Sequence, residues 1–139
     1  MSIETLMLPD VQASLLCDDV RQENNGKFML IGIFDGLAVN KLPAVFAKIC
    51  IVNRWCCGQG TFNQKTRIIG PDGGTVVASG QDVKIHLKAD VHTATSIEVF
   101  VNAKFEREGT HWVEVNLNDQ LRIRYPLIIR VVPPPYPAQ

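Results

Sequence analysis

The sequence predicts an all-β, single-domain antiparallel β-sandwich of about seven to nine strands, immunoglobulin-like or C2-like in architecture. Three observations carry that expectation. Apolar and polar residues alternate with period two through most of the chain, helical periodicity is nearly absent, and Gly, Pro, Asn and Asp clusters interrupt the pattern at roughly 8–12-residue spacing. Side chains on a strand point alternately to opposite faces, so such alternation describes sheets with one buried face.

The first run sets Val11, Ala13, Leu15 and Cys17 on one phase among polar neighbours. It continues into "CDDVRQENNGKFMLIGIF", Cys17 to Phe34, where Asn25-Gly26 tolerates positive φ and suits a tight hairpin turn. The arm after the turn, "FMLIGIF", is apolar on both phases and is expected to be a central strand buried on both sides. A turn near Leu37 to Lys41 is the one helix candidate. "AVFAKICIVNRWCC", Ala44 to Cys57, is a long β-rich run, and "TFNQKTRII" leads through the Pro-and-Gly turn Gly70 to Gly74 into "TVVAS" and "VKIHLKA". In "SIEVFVNAKFE", Ile97, Val99, Val101, Ala103 and Phe105 are expected to face inward, against Glu98, Asn102, Lys104 and Glu106. After the turn Glu108 to Thr110, Val113, Val115 and Leu117 face inward and Trp112, Glu114 and Asn116 outward. The last run buries Leu121, Ile123, Tyr125, Leu127, Ile129 and Val131 against outward Arg122, Arg124 and Arg130. Pro126 has no N–H, so the strand is expected to be an edge or bulged there.

Residues 1–132 are read as one sandwich domain and 133–139, "PPPYPAQ", as a proline-rich tail that runs as polyproline II. A chain of 139 residues buries about 68% of its unfolded surface, enough to hold a core without staples. Fourteen basic residues balance fourteen acidic ones, so no global field points to nucleic acid or an anionic membrane, and both are excluded as expected partners. The opening "MSIETLMLPD" has no basic, apolar leader pattern, and no apolar run nears the ~18 residues of a bilayer span. A cytoplasmic protein with reduced thiols is expected.

The stretch "CDDVRQENNGK…LIG" resembles the opening of a family of small, uncharacterised bacterial proteins, with a weaker likeness at "RIIGPDGG" and "PLIIRV". The resemblance implies a one-domain β-sandwich and carries no activity, cofactor or catalytic residue with it.

Asp18, Asp19, Glu23, Asn24 and Asn25 are oxygen donors, but their spacing fails the EF-hand pattern, and no metal site is expected. Turn chemistry requires Asn25-Gly26 and leaves Asp18, Asp19 and Arg21 unexplained, so these three form a candidate functional opening. Cys56 and Cys57 are adjacent and are expected to point to opposite faces of a strand; Cys17 with Cys57 or Cys50 across the core would mimic an immunoglobulin cysteine pair beside Trp55, but buried reduced thiols are the expectation. His86, His92 and His111 are expected as surface histidines without a catalytic partner. Arg122, Arg124 and Arg130 are expected to pair with outward glutamates. "PPPY" matches a polyproline recognition form, read more plainly as a chain end. Phe100 and Trp112 fall on outward phases and form a candidate interface or ligand platform.

The function expected is a non-enzymatic binding or assembly module acting through a sheet edge or outer face, with no cofactor and no catalytic residue. Its expected partner is a second copy of the chain or another protein. The alternative is a carbohydrate- or small-ligand-binding sandwich that uses exposed aromatics.

Overall fold

In the computed structural model, which describes residues 6–133, ten strands build two packed sheets, and no helix occurs among the described residues. The strands are β1 (Asp10–Gln22), β2 (Phe28–Phe34), β3 (Gly36–Val39), β4 (Ala44–Cys56), β5 (Gly60–Ile69), β6 (Val76–Ser79), β7 (Val83–Leu87), β8 (Thr93–Phe105), β9 (Gly109–Leu117) and β10 (Gln120–Val131). One sheet has the order β2-β1-β4-β8 and the other β3-β10-β9-β5-β6, with β7 paired to the first half of β5. All pairings are antiparallel except β3 with β10. That short parallel strand stands where the sequence suggested only a turn, which helps take the strand number past nine. The proline-rich tail lies, from residue 134 on, outside the described residues.

Local chemistry sets the turns. Between β1 and β2, Gly26 takes φ 90°, its N–H donates to the Glu23 carbonyl at 2.9 Å, and the Glu23 N–H donates to the Lys27 carbonyl at 2.8 Å. Between β9 and β10, Asn118 and Asp119 both hold positive φ, 48° and 64°, as a type I′ hairpin requires. In the Gly70–Gly74 turn the Asp72 carboxylate accepts the N–H groups of Gly74 and Thr75 at 3.0 and 2.8 Å. These bonds favour the ionised form and hold that carboxyl far below the ordinary carboxylate range, with the Thr75 hydroxyl the largest contributor.

The core lies between the sheets. Leu16, Ile49, Ile51, Trp55, Phe100 and Phe105 come from the first, and Phe62, Ile68, Ile85, Val113, Val115, Leu117, Leu127 and Ile129 from the second. The inward phases of β9 and of the middle of β10 are those the alternation predicts, though Leu121 and Val131 at the two ends of β10 are exposed. Pro126 sits where β10 is paired with β9 alone, before β3 joins at Ile128.

Two expectations are overturned. Among the described residues β2 is an edge strand whose one neighbour in the sheet is β1, and Phe28, Met29, Ile31 and Ile33 are exposed rather than buried on both sides. β8 runs with the opposite phase through its first half: Ser96, Glu98 and Phe100 face the core, while Ile97, Val99 and Val101 face out. Asn102, at φ 54°, then reverses the phase, so that Ala103 and Phe105 again point inward. A single residue in the left-handed region breaks a period of two, and the long alternating run conceals it.

Candidate functional site

The outer face of the β2-β1-β4-β8 sheet is apolar, and the strand register shows why. Ile33 pairs with Cys17, Cys17 with Cys50 and Cys50 with Val99, one row crossing all four strands. Beside it, Leu15, Val52 and Ile97 form a second row, and Lys48 faces Val101 in a third. The middle is covered by its own neighbours: Cys17 and Cys50 are buried and pack with Val52, Val20 and Leu30. The margins are not, since Val101 is 68% exposed, Ile33 56% and Val99 53%. Burial, and then the neighbouring Cys50, push the Cys17 thiol up to about 11, so it stays a neutral thiol. The two cysteines lie on adjacent strands of one sheet as buried free thiols, the arrangement expected in preference to an immunoglobulin-like pair across the core.

The charged opening divides. The Lys48 ammonium lies 2.5 Å from Asp19 Oδ1 and the Arg21 guanidinium 3.4 Å from Oδ2, an ion-pair chain at the border of the apolar face. The Lys48 hydrogen bond, followed by the Val20 N–H, holds the Asp19 carboxyl below its ordinary range. Asp18 does something else. With Asp35 and Arg130 it lines a cleft of about 420 Å³ at the open side of the sandwich. A Cβ on Gly32, which takes φ 70°, would overlap the Asp18 carboxylate, so the side chain packs where only glycine leaves room.

Phe100 and Trp112 are not brought together. Phe100 is 7% exposed and faces the core, because β8 has the reversed phase. Trp112 is half-buried on the outside of the other sheet, beneath the Arg124 guanidinium at 4.1 Å. Glu114 takes Arg67 at 2.9 Å and Arg124 at 3.5 Å, so these charges pair across strands. The expected aromatic platform is therefore replaced by the aliphatic face on the opposite sheet.

The alternation also hid a polar chain through the core. The Trp55 indole N–H and the Ser96 hydroxyl donate to Gln64 Oε1 at 2.8 and 3.0 Å, and Gln64 Nε2 donates to Glu98 Oε2 at 3.0 Å. The Thr66 hydroxyl also bonds the Glu98 carboxyl, and it accepts from Asn53 Nδ2 at 3.1 Å. Asn53 Oδ1 accepts from Ser14 at 2.6 Å, and Ser14 reaches the Tyr125 hydroxyl at 2.8 Å. Burial pushes the Glu98 carboxyl above its ordinary value and the Tyr125 phenol up to about 12. Glu98 also borders a cleft of about 470 Å³ with Gly80, which leaves no room for a Cβ against the carboxylate. The signal for this network is Asn53, Gln64 and Thr66 standing on the same phase as Ile51, Trp55, Phe62 and Ile68.

His111, expected at the surface, is buried edge-on against Phe105 with ring centroids 5.2 Å apart; burial lowers its pKa. Cys57 lies beyond the end of β4 at φ 60° instead of continuing the strand, and its thiol acts on that of Cys56. No group of three or more His, Cys, Asp or Glu side chains converges on a metal position among the described residues. Nor is any helix of these residues long and apolar enough to cross a membrane.

No curated protein matches the chain. Among solved structures, it is similar to the Pseudomonas fluorescens alkylpurine DNA glycosylase AlkC bound to DNA containing an abasic site analog, at 10% identity and a TM-score of 0.45. The match covers 70% of this chain and 28% of that one. That neighbour was solved bound to DNA, whereas the partner expectation excluded nucleic acid and named a second copy or another protein. That expectation is withdrawn, and the glycosylase activity remains a statement about the neighbour. A model described as a family of unknown function (DUF6941) matches residues 12–130, and the chain belongs to that family.

Proposed function

We propose that this protein is a binding module, not a catalyst, and that it works through the outer face of the β2-β1-β4-β8 sheet. The observation that carries the reading is the set of apolar rows across four strands, with Ile33, Val99 and Val101 left open. Water-exposed apolar surface is normal when scattered and informative when contiguous. Covering a valine or isoleucine fully is worth about 1.5–3 kcal/mol relative to leaving it exposed, so three half-open side chains offer roughly 2–5 kcal/mol to whatever covers them. The Asp19–Lys48 pair at the border supplies a polar rim, the arrangement of a desolvated centre within charged margins. β2 extends the surface to a sheet edge that has no further strand among the described residues and carries neither proline nor charge, "FMLIGIF".

The test compares the wild-type protein with Val99→Lys/Val101→Lys, each immobilised in a lysate of the source cells and read by quantitative mass spectrometry. A species retained by the wild type and lost from the double variant is the expected result. Identical retention by the two proteins would remove this face as the binding surface. The carbohydrate-binding alternative has lost its aromatic pair, since Phe100 faces the core.

A further inference from the structure

We propose that Cys56 and Cys57 form a vicinal dithiol site that takes a soft, thiol-seeking trivalent arsenic centre, one sulfur from each residue. Adjacent residues in a regular strand point apart, and that geometry would forbid a shared ligand. Here the strand stops. β4 ends at Cys56, and Cys57 adopts φ 60°, a left-handed conformation unfavourable for a residue with a Cβ. The corner is anchored from both sides. A Cβ on the next residue, Gly58, would lie 2.6 Å from the Pro9 Cβ, so glycine admits the close approach of the N-terminal segment. One residue further, Met7 and Gln59 exchange two backbone hydrogen bonds at 2.9 and 2.8 Å. The pair is thus held at a fixed corner of the fold, and preorganised ligands lose little freedom on binding.

Access separates this pair from the other. Both thiols are free, Cys56 half-buried and Cys57 exposed, whereas Cys17 and Cys50 are buried. The Cys57 thiol interacts with that of Cys56 and holds it above its ordinary range, which agrees with two sulfurs lying side by side. A tetrahedral zinc ion wants four ligands and a hard cation six or more oxygens. No third His, Cys, Asp or Glu converges here among the described residues. A monosubstituted trivalent arsenical needs two sulfurs and no more. In the reaction, R–As=O and two thiols give R–As(SR)₂ and one water. Two As–S bonds form, the As–O bond is lost, both thiol protons leave with the oxygen, and arsenic stays trivalent, so no oxidant or reductant takes part.

The test titrates the full-length reduced protein with phenylarsine oxide and reads adducts by intact mass spectrometry. One phenylarsenic per chain is expected, retained against excess monothiol and released by a dithiol. Cys56→Ser and Cys57→Gly, the latter suited to φ 60°, should each weaken retention by about 10²-fold or more, the effective-concentration gain of a second linked ligand. Cys17→Ala should leave it unchanged, and circular dichroism confirms that each variant is folded. Retention that survives Cys56→Ser or Cys57→Gly, or the absence of a one-to-one adduct on the wild type, would overturn the assignment.

Discussion

Replacing Glu98 by glutamine should change how stability depends on pH, and the direction follows from burial. The carboxyl is 8% exposed, and desolvation raises its pKa above the ordinary 4.5, against the smaller opposing effects of the Thr66 and Gln64 hydrogen bonds and of nearby Lys65. The folded state therefore holds this proton more tightly than the unfolded chain does. Where the folded state binds more protons, stability falls as pH rises. The contribution of Glu98 is thus fully present below pH 4.5 and is lost as pH climbs through the raised folded pKa. Each pKa unit of difference corresponds to about 1.4 kcal/mol. Glu98→Gln keeps an acceptor for Gln64 and Thr66 but cannot ionise, so its stability relative to wild type should rise across that window and then level off. Glu98→Ala removes the acceptor of two buried donors, each left unsatisfied at about 1–3 kcal/mol, for roughly 2–6 kcal/mol in all at low pH. That cost should shrink as pH rises, because the wild type then carries a buried charge which the alanine variant lacks. Urea unfolding followed by tryptophan fluorescence suits the assay, since Trp55 is fully buried and bonded into the same chain. The difference between variant and wild type isolates Glu98 from carboxyls such as Asp19 and Asp72, whose lowered pKa values act in the opposite sense. Wild type and Glu98→Gln running parallel from pH 4 to pH 8 would refute the reasoning.

Two further predictions test the architecture. Phe100→Ala should cost about 3–5 kcal/mol in urea unfolding while Val99→Ala stays within about 0.5 kcal/mol, because the first empties the core and the second trims an exposed face; equal costs would restore the phase read from the sequence. Gly32→Ala should destabilise by about 1–3 kcal/mol through its φ of 70° and its overlap with Asp18. Adding Asp18→Ala should recover only part of that loss, and full recovery or none would show that one of the two causes is wrong.

Turn chemistry was readable because it is local. Asn25-Gly26 and Gly70–Gly74 act through backbone preferences that belong to those residues alone, and the structure turns at each. The phases of β9 and the middle of β10 were equally plain, since Val113, Val115, Leu127 and Ile129 are apolar where their neighbours are not. "FMLIGIF" failed for a different reason. Apolarity on both phases states that a strand avoids charge, and says nothing of whether a second strand will flank it; that depends on β4 taking the other side of β1. β8 failed because Ile97, Val99 and Val101 outnumber Phe100, while Phe100 and the partner Gln64 offers Glu98 decide which side is buried. The Cys56–Cys57 corner needed Pro9 and Met7, residues nearly fifty positions earlier in the chain, to become visible.

The parallel pairing of β3 with β10 has a consequence for how the chain is made. Gly36–Val39 leaves the ribosome well before its hydrogen-bonding partner, Ile128–Val131, which lies about ninety residues further along the chain. Leu127 and Ile129 of that same strand complete the core. The second sheet must therefore wait, half-assembled, until β10 has emerged, and pairings this distant in sequence form slowly. Throughout that interval the apolar β1–β2 hairpin is already out. β10 acts as the closing latch of the two sheets, and a ribosome that stalls before it leaves a nascent chain with this interior open.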